Sequence, residues 1–383
     1  MRRDPMAEKK RILTINPGST STKLALFEDE TEVLKQELVI RAEDIADCTR
    51  MIQQLDIRMA SIRDFIRGAE LDLSTLDLIV ARGGSIHGVH SGAYVIDAHV
   101  DAMLRYRPRS QHVSSLAAII AYQLSRESGV PAIFYDAPSA DDADEIMHYT
   151  GLPECRRFVT SHCLNSKMVA RQVAKSLGKA YEECNFIVAH LGGGITMAFH
   201  SGGRMVDTLL DDAGPMSPQR AGRIPVTDVI ELCYSGQYTK AEMANKMRGK
   251  GGLVAWFGVN DARDVEALID AGDQKARDVF WYMAYQIAKG IGELSVVQSG
   301  RLDRIILTGG LAWSKRLTNW VTEQVEFLAP VVVIPGEREM LALAQGGARV
   351  LRGEERANRY TWLPPGYDTL EAFLADCRKT EEE

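Results

Sequence analysis

Residues 11–29, "RILTINPGSTSTKLALFED", place a loop of small and hydroxyl-bearing residues between two apolar runs. Ile12, Leu13 and Ile15 lead into Asn16, Pro17 and Gly18, and the apolar run resumes at Leu24 after Ser19, Thr20, Ser21, Thr22 and Lys23. A Walker A loop would read GxxxxGK[ST] and open a helix. Here Thr22 precedes Lys23 and strand-forming residues follow, so the pattern predicts a β-hairpin whose turn offers backbone N–H groups and hydroxyls to an anion. Gly, Ser and Thr are also ordinary turn residues, and alone this segment reads more readily as a plain turn.

The pattern returns in the second half. Residues 185–207, "NFIVAHLGGGITMAFHSGGRMVD", are again apolar run, small-residue turn and apolar run, with Gly192, Gly193 and Gly194 at the turn. Two such hairpins suggest an internal duplication. If the two halves face each other across a cleft, both turns could point amides at one polyphosphate. A third element, "LDRIILTGGLAWSK" (302–315), runs from a strand into Gly309 and Gly310, where the backbone can approach a flat base or ribose.

Between these landmarks, Leu76–Val80 reads as a strand delivering Arg82 to a glycine-rich loop, and 114–129 as a Ser-capped helix ending at Gly129. Residues 130–136 read as a buried strand ending at Asp136, and 161–178 as a helix ending at Gly178. A domain boundary falls near 150–160. Further on, Val331–Ile334 is strand-like and a helical pattern starts at Met340, leaving Glu337 and Glu339 near a helix start, where acids are commonly dipole partners. The tail reads as a short docked helix.

A chain of 383 residues with 45% apolar composition can fill two domains. Its net charge of −7 and lack of a basic stripe argue against a nucleic-acid surface. No 18-residue apolar run or signal-peptide core occurs, which predicts neither a membrane span nor secretion. The six cysteines never form CxxC, which suits a reducing cytoplasm and reads mostly as small buried hydrophobes.

Taken in order, "NPGSTSTK", "ARGG", "SHCLNSK", "VAHLGGGI", "GPMSPQRAGRIP", "GKGGL", "ILTGGLAWS" and "PGEREM" resemble the acetate and propionate kinase family, most closely its butyrate and branched-chain fatty acid kinase branch. The resemblance implies an α/β fold of two duplicated RNase H-like domains, as in sugar kinases, Hsp70 and actin, with ATP and magnesium in the cleft between them. It implies an N-terminal domain of 1–155 completed by a C-terminal helix in 340–383, a second domain of 156–339, and a homodimer. Asn16, Ser19, Thr20, Ser21, Thr22 and Lys23 would lie at the phosphates, with His190, Gly192, Gly193, Gly194, Gly309 and Gly310 completing the nucleotide site. Arg82, Arg220, Asp136 and His162 match the family's active-site positions. Glu339, with Asn16, would organise Mg²⁺, and Glu337 is the alternative. In one departure, the first histidine of the acetate kinases' HGTSH-like motif falls at Phe158, and only the second is matched, by His162. That histidine is equally readable as a helix cap, while His87 and His90 read as solvent-facing.

The chemistry implied is phosphoryl transfer between ATP and a short-chain fatty acid such as butyrate or isobutyrate, giving an acyl phosphate and ADP, or the reverse. A carboxylate is already ionised near pH 7 and needs no base, whereas a sugar hydroxyl does. The alternatives are a sugar or polyol kinase with Asp136 as base, and an actin-like or Hsp70-like ATP-driven binding module.

Overall fold

The computed structural model describes residues 9–211 and 213–382, with side chains to 379. The chain divides into two units, one running to Asp141 and resuming at Arg338, the other spanning Asp142–Glu337.

In the first unit, β1 (Arg11–Pro17), β2 (Ser21–Glu28), β3 (Thr31–Val39), β4 (Leu78–Arg82), β5 (Ala93–Val95) and β6 (Ala132–Tyr135) form one sheet of order β3-β2-β1-β4-β6-β5. The first three strands are antiparallel neighbours, and β1, β4 and β6 run parallel. Parallel strands are covered on both faces, which explains the near-continuous apolar runs of β1, β4 and β6. Strand β4 starts two residues later than the apolar run suggests, because the Asp77 carboxylate accepts from the Arg11 amide at 2.8 Å and ties down the sheet's lower end.

The second unit holds β7 (Phe186–Leu191), β8 (Ile195–Ser201), β9 (Arg204–Leu209), β10 (Arg304–Gly309) and β11 (Val331–Pro335), in the order β11-β10-β7-β8-β9. Strands β7, β8 and β9 are antiparallel, while β7, β10 and β11 are parallel. Both mixed sheets therefore place an antiparallel hairpin pair beside parallel strands, with the same pairing sense.

Helix Ser115–Ser128 ends at Gly129 as expected, but Ser114 makes no side-chain cap bond. Its hydroxyl instead lies 2.7 Å from His112 Nδ1. The tail helix Leu370–Glu382 docks through buried Phe373 and Cys377. Only Cys163, Cys184 and Cys377 are buried; Cys155 and Cys233 are exposed, which corrects the expectation of mostly buried thiols. His87 is half-buried and stacks on Trp362, so of the two loop histidines only His90 is exposed.

Candidate active site

The C-terminal ends of parallel strands are where open α/β sheets present ligand-binding loops. In the first unit that edge carries Asn16, Arg82 and Asp136, from the ends of β1, β4 and β6. Glu339 joins them from the start of helix Glu339–Leu351. Asn16 Nδ2 donates to Glu339 Oε2 at 2.7 Å, and Arg82 meets the same carboxylate at 3.1 and 3.3 Å and Asn16 Oδ1 at 3.3 Å. The helix can sit this close because of a glycine pair: a Cβ at Gly346 would lie 2.7 Å from the Tyr135 ring, and one at Gly347 2.7 Å from Val80. Two glycines inside a helix are unfavourable by about 1 kcal/mol each, so the close approach offsets a real cost. His112 also feels Arg82 and Glu339; surrounding protein, then the Arg82 cation, hold its pKa below the usual imidazole value.

Asp136 is buried and left-handed, at φ 43°, a conformation Asp tolerates better than most residues. It is held by a reciprocal pair of bonds: its amide donates to Gly92 O at 3.1 Å, and its Oδ1 accepts from the Gly92 amide at 2.8 Å.

The first turn differs from expectation in its hydroxyls. Ser19 and Thr20 are exposed, as is Lys23, which pairs with Asn16 in the hairpin register. Ser21 Oγ donates instead to Glu37 Oε1 at 2.6 Å, and Thr22 is wholly buried, accepting from Arg58 Nη1 at 2.9 Å. Thr22 thus belongs under the turn, because strand alternation sends its side chain inward where Lys23 goes outward.

In the second unit, β7 ends at the glycine turn. Gly193 O accepts from Ser217 Oγ at 2.7 Å and from the Gln219 amide at 3.1 Å. Among the described residues the Gly193 and Gly194 amides donate to no protein acceptor. His190 is 2% exposed, with Nε2 3.1 Å from Glu337 Oε1 and Nδ1 3.2 Å from Asn165 Nδ2. His162 stacks on it with ring centroids 3.9 Å apart, and its Nδ1 lies 2.8 Å from Thr196 Oγ1. Although His162 occupies the N-cap position, it makes no side-chain cap bond, which removes the capping reading. Glu337 therefore accompanies His190, while Glu339 accompanies Asn16.

Arg220 Nε donates to Asp211 Oδ2 at 2.8 Å, and Arg248 binds the same carboxylate at 2.8 and 3.1 Å. One acid thus orients two arginines. The "GKGGL" segment packs beneath this loop, where a Cβ at Gly252 would fall 1.6 Å from Ser217 O.

The two glycines after β10 have different tasks. Gly309 has φ +89°, and a Cβ there would lie 2.5 Å from Leu191 O, so it serves chain packing. Gly310 is open and lines a cavity of ≈ 500 Å³ with Gly192, Gly193, Asn260, Arg263 and Trp313. That volume lies in the range of small-molecule sites. Trp313 is 71% exposed, a free aromatic face at the cavity. Asp261, also at the cavity, is held down to about 2, first by its hydrogen bond from the Arg263 side chain and then by the Arg263 amide.

Residues 149–353 match the model of the Acetokinase family. Butyrate kinase 1 of Clostridium acetobutylicum is 40% identical over 352 residues, covering 91% of this chain and 99% of that protein. A probable butyrate kinase 2 of Caldanaerobacter subterraneus is 44% identical over 91% of this chain and 99% of its own length. This chain belongs to the acetokinase family, in its butyrate kinase branch. Its fold matches that of acetate kinase from Entamoeba histolytica with a TM-score of 0.72 at 18% identity, covering 90% of this chain and 100% of that one. The two mixed-sheet units thus have the acetate and sugar kinase, Hsp70 and actin superfamily fold.

Several residues of this acetokinase escaped the motif reading. Asp211 is one of two adjacent acids, with nothing in the sequence to single it out. Asn260 and Arg263 flank an Asp N-cap and read as a helix start. Arg58 had a usable signal: it falls three residues after Leu55 and four before Ile62, on the apolar face of helix Leu55–Gly68.

Proposed function

We propose that this acetokinase transfers the terminal phosphoryl group of ATP to the carboxylate of a short-chain fatty acid, giving an acyl phosphate and ADP, and that it runs the reverse, ATP-forming reaction. The observation that carries this reading is the pair of anchored arginines. Arg82 is fixed by Glu339 and Arg220 by Asp211, each through part of its fork. Among the described residues, the Arg82 Nε and the Arg220 Nη2 make no protein hydrogen bond. Their donors suit acyl and equatorial phosphoryl oxygens, whose mutual repulsion is the main obstacle when the nucleophile is already an anion.

The remaining assignments follow. The open Gly193 and Gly194 amides and the exposed Ser19 and Thr20 take phosphates. The ≈ 500 Å³ cavity takes the nucleoside, with Trp313 as a stacking face. Glu339 and the Asn16 amide oxygen are hard oxygen donors, which fits Mg²⁺ carried mainly by nucleotide phosphates and water. Bound there, the ion would neutralise charge on the β and γ oxygens.

An apolar acyl pocket gains only about 0.8 kcal/mol per methylene, so neighbouring C4 and C5 acids, straight or branched, should overlap as substrates. The shared strand order of the two sheets supports descent from one duplicated RNase H-like domain. Exposed Val226, Ile230 and Tyr234, four residues apart on helix Val226–Tyr234, give the second unit an apolar stripe suited to a homodimer. No described helix is long and apolar enough to cross a membrane. We place the protein in the cytoplasm, where ATP is available and its cysteines can remain free thiols.

The test is purified protein with ATP and Mg²⁺ against C2 to C6 acids, the acyl phosphate being trapped by hydroxylamine. Hydroxamate formation strongest around C4 is expected. No hydroxamate from any acid, alongside phosphorylation of a sugar or polyol, would transfer the reading to the sugar-kinase alternative.

A further inference from the structure

Arg58 is 0% exposed. Its five N–H donors are matched by five bonds, all to neutral acceptors. Nε and Nη2 donate to Gln54 Oε1 at 3.2 and 2.9 Å, Nη2 also to Ser19 O at 3.3 Å, and Nη1 to Ser21 O at 3.1 Å and Thr22 Oγ1 at 2.9 Å. No carboxylate lies within 4.0 Å of these nitrogens among the described residues. Burial alone pulls the Arg58 pKa down. A guanidinium nevertheless stays protonated, so the cation is satisfied in hydrogen bonds and unbalanced in charge. Burying an unpaired charge is costly, and an anion arriving nearby would recover part of that cost.

The turn above it supplies a place for one. The bond to Ser19 O draws that carbonyl toward Arg58, and in a trans peptide the N–H points the opposite way, so the Thr20 amide faces outward. Among the described residues neither the Ser19 nor the Thr20 amide donates to a protein acceptor, and both side chains are exposed. Glu37, which accepts from Ser21 Oγ, is itself exposed.

We infer that Arg58 is a positioning residue for nucleotide phosphate: it fixes the Gly18–Thr22 turn with the Ser19 and Thr20 amides outward, and its unbalanced charge attracts the phosphate without touching it. The inference rests on the reading above that this turn holds phosphate.

The experiment measures dissociation constants of MgATP and of adenosine, by calorimetry, for full-length wild type, R58Q, R58K and Q54M, with circular dichroism as the folding check. R58Q should weaken MgATP about tenfold or more, the scale of losing a charged partner, and leave adenosine unchanged. R58K, which keeps the charge and loses the fork, should recover part of the loss. Q54M removes two of the five bonds and should weaken MgATP about threefold. A folded R58Q with MgATP affinity within about twofold of wild type overturns the inference. So does parallel weakening of ATP and adenosine, which marks a general structural defect. If both Arg58 variants fail to fold, unchanged MgATP affinity in Q54M overturns it. Hydroxamate formation by the wild type tests the catalytic reading separately: ATP binding without acyl phosphate would sink that reading while leaving the effect of Arg58 on phosphate measurable.

Discussion

Replacing Arg220 by alanine separates a phosphoryl-transfer role from simple docking of the acid. The transferring group gains a second anionic neighbour only as the reaction begins, so an arginine fork there binds the transition state more tightly than ATP alone. By analogy with loss of one oxyanion donor, R220A should lose about 3 to 4 kcal/mol, or 10²- to 10³-fold in kcat. Stability should change far less. Asp211 is 13% exposed and would be a stranded buried charge if Arg220 were its sole partner, but Arg248 remains on it at 2.8 Å. The folding cost is therefore that of a partly buried pair with a substitute cation, about 1 kcal/mol. R220K should restore little, because one ammonium cannot both replace the Nε bond to Asp211 and reach the ligand. D211N keeps both arginines and loosens their orientation, and should cost about tenfold. The assay is steady-state hydroxamate formation with kcat, acid KM and nucleotide Kd, alongside thermal melting. A well-folded R220A protein with near-normal kcat and only a raised acid KM would refute the reasoning and leave Arg220 as a docking group.

Glu339 should behave differently from Glu337: E339Q removes the charge that holds Arg82 and should lower kcat/KM about tenfold or more while raising the magnesium concentration needed for half-maximal rate. E337Q should do less, and equal, trivial effects in the magnesium titration would return both acids to an ordinary helix start. His200 predicts a pH dependence of stability, since it is fully buried and its pKa is lowered from 6.5 to about 3, first by burial and then by Lys167 and Arg171. Between those values the unfolded chain binds the extra proton, so this group costs nothing above pH 6.5 and removes stability as pH falls toward 3, by about 1.4 kcal/mol per unit. Urea unfolding from pH 7 to 4 should be less steep with pH in H200Q, and identical slopes would contradict a buried neutral imidazole.

What was legible in the sequence follows the range of the forces involved. The strands of both hairpins could be read because a buried strand writes its burial into closely spaced apolar residues such as Ile12, Leu13 and Ile15 and the run Phe186–Ala189. The Asn16, Arg82 and Glu339 group could not be read from spacing, since the members lie 66 and 257 residues apart and meet only because Gly346 and Gly347 let a helix settle onto β4 and β6. Only the family resemblance brought them to one site. Thr22 was misplaced because the last hydroxyl of a run that began at Ser19 reads as turn surface, whereas its burial depends on Arg58 arriving from a helix 36 residues away. The partners of His190 and His162 depend on β7 pairing with β8 and on the segment after β11 reaching the end of β7 past β10, which local pattern does not encode.

The two glycine or hydroxyl turns look alike as sequence, yet each is braced in its own way, and the difference bears on how ATP could act on the enzyme. The first is held from below by Arg58 through the Ser19 and Ser21 carbonyls, and is closed by the Gly18 amide on Ser21 O and the Ile40 amide on Thr20 O. The second is held through Gly193 O by Ser217 Oγ and by the amide of Gln219, which immediately precedes Arg220. A Cβ at Gly193 would itself lie 3.2 Å from the Gln219 side chain, so turn and loop are in direct contact. Phosphate settling on the Gly194 amide would polarise the same peptide group whose Gly193 carbonyl grips the 217–220 loop, strengthening a hydrogen-bonded chain. On the proposed nucleotide site, binding would thereby stiffen the backbone that carries Arg220 before any acid is phosphorylated.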